Sequence, residues 1–293
     1  QFERVAGGAP ANVATAVARL GGHSRMVSQV GEDAFGTHIL KVLNAANVDT
    51  SSVFRTNRAN TALAFVSLDK TGNREFSFYR NPSADLFLDE TQIAPEMFEN
   101  CAALHFCSVD LVDWPVRQAH VRAIELAKQA GAFLSFDPNV RLPLWSSPAD
   151  CQAAIRKFLP YADLVKLSDD EIEFVTGCAD EREAAEKLFA GGAKLVVVTR
   201  GASGSAVYTP KASAETETIA VPVTDTTGAG DSFIGSFLYQ LTRDGVTADT
   251  LSALPESRLA AYLRFSARCA SLTVQRKGAA MPTLEEVREA YPD

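Results

Sequence analysis

The amino-acid sequence predicts an α/β layer fold, a mostly parallel central sheet flanked by helices, with a small β-sheet lid. Three observations lead there. Short β-branched or aromatic runs alternate with stretches of helical period, the helical stretches open and stop at recognisable punctuation, and Thr61–Arg80 alone shows strand period on both sides of a turn. The 293 residues, 46% hydrophobic and 22% charged, suit one large domain or two modest ones and exclude disorder as the main state.

The first helix is predicted behind Gly7-Gly8. Pro10 stands where a first turn tolerates it, Val13, Ala16, Val17 and Leu20 share one face, and Gly21-Gly22 supplies the stop. Helical period recurs over Ala34–Ala46, Pro115–Ala130, Pro148–Leu159, Asp169–Thr176, Gly230–Leu241, Ser257–Val274 and Leu284–Ala290. Strands are predicted at Ala103–Cys107, Phe133–Phe136, Leu164–Leu167, Leu195–Thr199 and Ser205–Tyr208. In Thr61–Arg80, Leu63, Phe65 and Ser67 alternate with Ala64, Val66 and Leu68, a turn follows at residues 69–73, and Phe76 and Phe78 resume the alternation. A hairpin inserted between helical units does not join a parallel core easily, so it belongs outside, as a lid joined by Phe2–Val5 or as a plain edge hairpin. The resulting division is a lid of residues 1–6 and 58–83, and a main α/β part of residues 7–57 and 84–293.

Composition narrows the function. Lys plus Arg total 28 against 36 Asp plus Glu, a formal charge of −8, which disfavours nucleic acid as a partner. Apolar runs such as Leu195–Val198 are far shorter than the ~20 residues of a membrane helix, so no membrane role is expected. Five widely spaced cysteines without a CxxC suggest neither disulfides nor zinc, and a reducing, cytoplasmic setting fits them. The four histidines form no HExxH or close pair.

The most informative segment is Asp225-Thr226-Thr227-Gly228-Ala229-Gly230-Asp231-Ser232, because small residues open a helix whose apolar stripe is Phe233, Phe237 and Leu241. Glycine lets the backbone approach an anion, and the N–H groups of Ala229, Gly230 and Asp231, backed by the helix dipole, suit a phosphate. Asp231 in that turn is repulsive to phosphate unless it accepts a proton from an attacking hydroxyl; the plainer reading is that it complements the dipole. Gly7-Gly8-Ala9-Pro10-Ala11-Asn12 also opens a helix, with Asn12 either offered to sugar hydroxyls or on the solvated face. Thr199-Arg200-Gly201-Ala202-Ser203-Gly204 follows a buried-looking strand and reads as a ligand turn or only a hairpin connection. None matches the Walker pattern GxxxxGK[ST].

Together these residues resemble the ribokinase-type (PfkB) family of sugar kinases, and within it the fructokinases, over nearly the whole chain. Gly7-Gly8-Ala9-Pro10-Ala11-Asn12-Val13-Ala14 resembles the N-terminal motif and Asp225–Asp231 the C-terminal one; Asp137-Pro138-Asn139-Val140-Arg141 and Tyr79-Arg80-Asn81-Pro82-Ser83-Ala84-Asp85 resemble fructokinase segments. The family's ribose enzymes carry lysine where this chain has Ala9, which counts against ribose. The resemblance implies a ribokinase-like three-layer fold and transfer of phosphate from ATP, with Mg2+, to a sugar hydroxyl. It implies Asp231 as general base, Gly228, Ala229 and Gly230 as anion hole, and Gly8, Asn12, Arg80, Asn139 and Arg141 toward the sugar. Lys166, Thr199, Gly201, Gly204 and Thr226 would line the nucleotide, Asp225 and Thr227 would flank a K+ site, and two lids would pair in a homodimer. Sister enzymes acting on 2-keto-3-deoxygluconate or aminoimidazole riboside share most of these residues, and a regulator that kept the fold without the chemistry is the reading of another class.

The family's NxxE motif, whose Glu orients hydrated magnesium, aligns with Ser168-Asp169-Asp170-Glu171, with Ser in place of Asn. Ser-x-x-Glu is also a capping box, so a purely structural role competes with the metal role. The resemblance further implies a buried strand before the first glycine motif, carrying a carboxylate for the sugar; some 20–35 additional residues are expected there.

Overall fold

In the computed structural model of the protein, which describes residues 4–68 and 74–292, the first element among the described residues is helix α1 (Ala9–Arg19). Gly8 precedes it at φ 109°, and Pro10 lies in its first turn, where no intrahelical N–H is lost. Strand β1 (Ser28–Gly31), helix α2 (Ala34–Ala45) and strand β2 (Val53–Thr56) form a parallel unit with Ser28 opposite Val53. Asp33 caps α2 by accepting the N–H groups of Phe35 and Gly36 at 2.9 and 2.8 Å.

The hairpin follows as strands β3 (Leu63–Leu68) and β4 (Arg74–Tyr79), paired antiparallel from Leu63/Tyr79 to Leu68/Arg74. It stands as its own two-stranded sheet outside the parallel core, as its pattern predicts. Its turn, residues 69–73, lies outside the described residues, as does Phe2; Arg4 to Gly8 carry no strand, so the structure does not extend the hairpin with Val5.

The main sheet is built by β5 (Ala103–Cys107), α3 (Pro115–Gln129), β6 (Phe133–Asp137), α4 (Pro148–Phe158), β7 (Leu164–Ser168), α5 (Ile172–Thr176), α6 (Glu181–Ala190), β8 (Leu195–Thr199), β9 (Ser205–Tyr208) and β10 (Ser213–Thr216). Helices α7 (Ala229–Arg243), α8 (Glu256–Val274) and α9 (Leu284–Ala290) complete the chain. The strand order is β10-β9-β8-β7-β6-β5, with β5 to β8 parallel and β9 and β10 antiparallel at one edge.

Alternation along the buried strands separates two cores. Leu134, Phe136, Val165, Leu167, Val196 and Val198 face the helices α3 to α6, while Phe133, Leu164, Leu195 and Val197 face α7 and α8. Apolar side chains on both faces explain why these strands read as unbroken hydrophobic runs. Strands β1, β2 and β10 and helix α6 are not among the predicted elements, and the helix predicted over Asp169–Thr176 begins instead with a 3-10 turn, Asp169–Glu171.

Among the described residues β5 pairs only with β6, and β1 only with β2. Between those two edges lies a cleft of about 870 Å³, lined by Val13, Val17, Ser28, Leu104, Phe106 and Tyr239 among others. Among the described residues no helix is long and apolar enough to cross a membrane.

Candidate active site

Parallel strands bring their C-terminal ends to one edge of a sheet, and the loops that leave them form a crevice. Here β5 ends at Cys107, β6 at Asp137, β7 at Ser168 and β8 at Thr199, in a row set by the pairing of Cys107 with Asp137 and of Ser168 with Thr199. The N-terminus of α7 is aimed at the same edge.

The turn before α7 is held tightly. Asp225 accepts the N–H of Thr227 at 2.7 Å and that of Gly278 at 3.0 Å, tying the turn to the segment after α8. Gly228 sits at φ 79°, and a Cβ there would lie 2.6 Å from Ala279 Cβ, so glycine is required on both conformational and steric grounds. Ala229 donates its N–H to Thr226 O at 3.2 Å. Of the expected anion-hole donors Gly228, Ala229 and Gly230, the N–H of Ala229 is thus already engaged within the turn. Among the described residues the N–H groups of Gly228, Gly230 and Asp231 have no hydrogen-bond partner, and they are the donors left to an anion.

Asp231 occupies the first turn of α7, partly enclosed, and accepts a hydrogen bond from Asn12 Nδ2 at 2.7 Å. Burial pushes its carboxyl up to about 6; the Asn12 bond and the charges of Lys166 and Arg141 act against that rise, while Asp137 adds to it. A carboxylate poised near neutrality beside three free N–H groups is equipped to take a proton next to a bound anion.

Beneath α7 the buried Lys166 ammonium is 3.1 Å from Asp137 Oδ2. The charges of Asp137, Glu171 and Asp231 hold its pKa above the usual lysine value in spite of burial. A Cβ on Gly230 would lie 3.5 Å from Lys166 Nζ, so the lysine is immediately next to the anion-hole turn. Asp137, which the sequence marks only as part of a motif, is thus the lysine's ion-pair partner; a carboxylate closing an apolar strand was its only signal. It also accepts the N–H of Asn139 at 3.0 Å, which fixes that residue in the left-handed region at φ 44°.

Glu171 is buried, with Oε1 accepting from Val140 N–H at 2.6 Å and Oε2 from Ser168 N–H at 2.9 Å. The capping box with Ser168 is present in full. Arg141 is exposed and donates to Val140 O, its guanidinium near enough to Asp231 to act on its charge. His105 is enclosed beside Ser135, and burial lowers its pKa to about 3, so it stays neutral.

Arg80 is drawn into a different arrangement. Its guanidinium donates to Asp85 (2.7 and 2.5 Å), to Val109 O (2.6 Å) and to Asp110, bridging the end of β4 to the turn after β5. Gly201 and Gly204 have φ of 52° and 94°, and a Cβ at Gly204 would strike Thr216 O at 2.2 Å. Arg200 anchors that turn through Glu181 and Glu215, and Thr199 Oγ1 reaches Leu167 O at 3.4 Å. Gly8 lies at the start of α1, one turn from Asn12, whose N–H it accepts at 2.9 Å.

The profile of the pfkB family carbohydrate kinases matches residues 1–286. A probable fructokinase-2 of Arabidopsis thaliana is 43% identical over 285 residues, covering 96% of this chain and 85% of that protein. The crystal structure of a Xylella fastidiosa fructokinase with bound ATP superposes with a TM-score of 0.91 at 38% identity, covering 97% of this chain and 89% of that one. A Vibrio cholerae O395 fructokinase with fructose, ADP and calcium bound gives a TM-score of 0.86 at 36% identity, covering 97% and 90%. With a carboxylate and free N–H groups at the head of α7 and this likeness over almost the full length, the chain belongs to the pfkB family of carbohydrate kinases, phosphotransferases that act on a sugar hydroxyl.

Proposed function

We propose that the chain is a fructokinase that transfers the γ-phosphoryl group of ATP to the 6-hydroxyl of D-fructose. The observation that carries this reading is Asp231, a carboxylate with raised proton affinity in the first turn of α7, beside the unpartnered N–H groups of Gly228 and Gly230. The hydroxyl proton passes to Asp231 Oδ1 while the hydroxyl oxygen bonds to the γ-phosphorus. The bond from that phosphorus to the β,γ-bridging oxygen breaks, and its electron pair leaves on ADP. The free N–H groups and Lys166 stabilise the charge that builds on the transferring group. The left-handed Asn139 and the exposed Arg141 border the sugar side, and the turn from Thr199 to Gly204 together with Thr226 borders the nucleotide.

Glu171 fits a magnesium ion through water. Each of its oxygens already accepts one backbone N–H and keeps a lone pair, which suits a metal-bound water better than direct ligation. Bound there with ATP, the ion would neutralise triphosphate charge. The Asp225–Thr227 turn is the segment proposed for a potassium ion, and the β3–β4 hairpin for a lid and a dimer contact. Five thiols outside any disulfide agree with a reducing compartment such as the cytoplasm.

The test is a coupled measurement of ADP release with fructose, ribose, 2-keto-3-deoxygluconate and aminoimidazole riboside, with the product identified by carbon-13 NMR. Fructose is expected to give the highest kcat/KM and fructose 6-phosphate as product. A higher value with another sugar would reassign the substrate, and no sugar-dependent ADP release would make the chain a binding protein.

A further inference from the structure

The two glycine motifs lie more than two hundred residues apart, yet the structure joins them at one hydrogen bond, from Asn12 Nδ2 to Asp231 Oδ2 at 2.7 Å. That bond sits on a helix contact with a definite register. Asn12 and Ala16 are one turn apart on α1, and Asp231 and Gly235 are one turn apart on α7, so each pair shares a helix face. At Gly235 the helices approach so closely that a Cβ would lie 2.6 Å from Ala16 Cβ and 3.0 Å from Val13 O. One turn nearer the site, the same approach brings the amide against the carboxylate.

We infer that Asn12 is a positioning residue for the general base: its amide holds Asp231 Oδ2 and leaves Oδ1 directed to the incoming hydroxyl, with the Gly235–Ala16 contact setting the distance. This rests on the reading of Asp231 as base given above. An amide suits the task because its N–H does not titrate, so it donates to the carboxylate at every working pH. Held in this way, the base keeps one orientation through the transfer and gains less from picking up a proton of its own from water.

The experiment compares wild type, Asn12→Leu and Gly235→Ala. In each, the Asp231 carboxyl is titrated by carbon-13 NMR of the ligand-free protein, and kcat and the sugar KM are measured across pH. Both variants are expected to raise the Asp231 titration midpoint and to move the acidic limb of kcat/KM upward with it. Both should lower kcat roughly 10- to 100-fold with the sugar KM within about threefold. Gly235→Ala removes no polar group and leaves the Asn12 amide in place, and it carries the test should Asn12→Leu fail to fold. An unchanged carboxyl midpoint with a sugar KM raised more than about tenfold would make Asn12 a sugar ligand only, and would overturn the inference. A lowered Tm with midpoint and acidic limb unchanged would make it an ordinary packing contact, and would overturn it equally. A shifted midpoint in a protein that phosphorylates no sugar would leave the brace standing and remove the proposed function.

Discussion

Asp231 places function and stability in opposition. Its folded pKa lies near 6, raised from an ordinary value of 3.8 by burial, so the folded state binds that proton more tightly than the unfolded chain. The associated stability is fully present below about pH 4 and is lost as pH rises through 6, where the ionised carboxylate carries a net cost of up to about 3 kcal/mol. Asp231→Asn is therefore expected to raise Tm at pH 8, with the gain shrinking as pH falls toward 4. Thermal unfolding of both proteins across that range checks it, and a gain independent of pH would contradict it. In the wild type, kcat/KM should fall below about pH 6 for the same reason, since a protonated base accepts nothing. The sequence shows Asp231 and Asn12 as separate motif residues because each is locally marked by glycine. Their bond is invisible there, being set by the packing of two helices far apart in the chain.

At the scale of elements, the site rests on loops pinned from below. Arg80 illustrates a role that motif reading does not reveal: placed by resemblance toward the sugar, it bonds to Asp85, Asp110 and Val109 O, coupling the hairpin to the main sheet. With its side chain only 11% exposed, Arg80→Ala strands two carboxylates, and we expect a loss of about 2–4 kcal/mol with a modest effect on the sugar KM. Denaturant unfolding beside sugar titration decides; a large KM increase with stability unchanged would make Arg80 a sugar contact. Helices with a proline start and a glycine stop, such as α1, were legible, as were β6, β7 and β8 with their unbroken apolar runs. The missed strands are short and weakly apolar: β10, Ser-Ala-Glu-Thr, is a strand because β9 offers its edge, and β1 and β2 are only four residues each. Helix α6 did carry a signal, Asp180 accepting from Glu183 N–H at its start and Gly191 at its end, though its polar surface hides the period.

For the whole molecule, the two-faced sheet with its antiparallel edge sets out the strand ends that border the site, while the hairpin forms a separate two-stranded sheet. Phe65 and Tyr79 lie on that hairpin, 38% and 65% exposed, in edge contact at 5.2 Å between ring centres. Exposed aromatic pairs of this kind are suited to a second copy of the hairpin, so sedimentation at micromolar concentration should show a dimer, and Tyr79→Glu a monomer. A monomeric wild type with full activity would refute the pairing. The central claim is that Asp231 takes the proton of the sugar hydroxyl, and its most direct test is kcat for fructose-dependent ADP release by Asp231→Asn with both substrates saturating. A fall of roughly 10²–10⁴ with fructose still bound is expected, while a variant that keeps more than about a tenth of wild-type turnover would show that another group moves the proton.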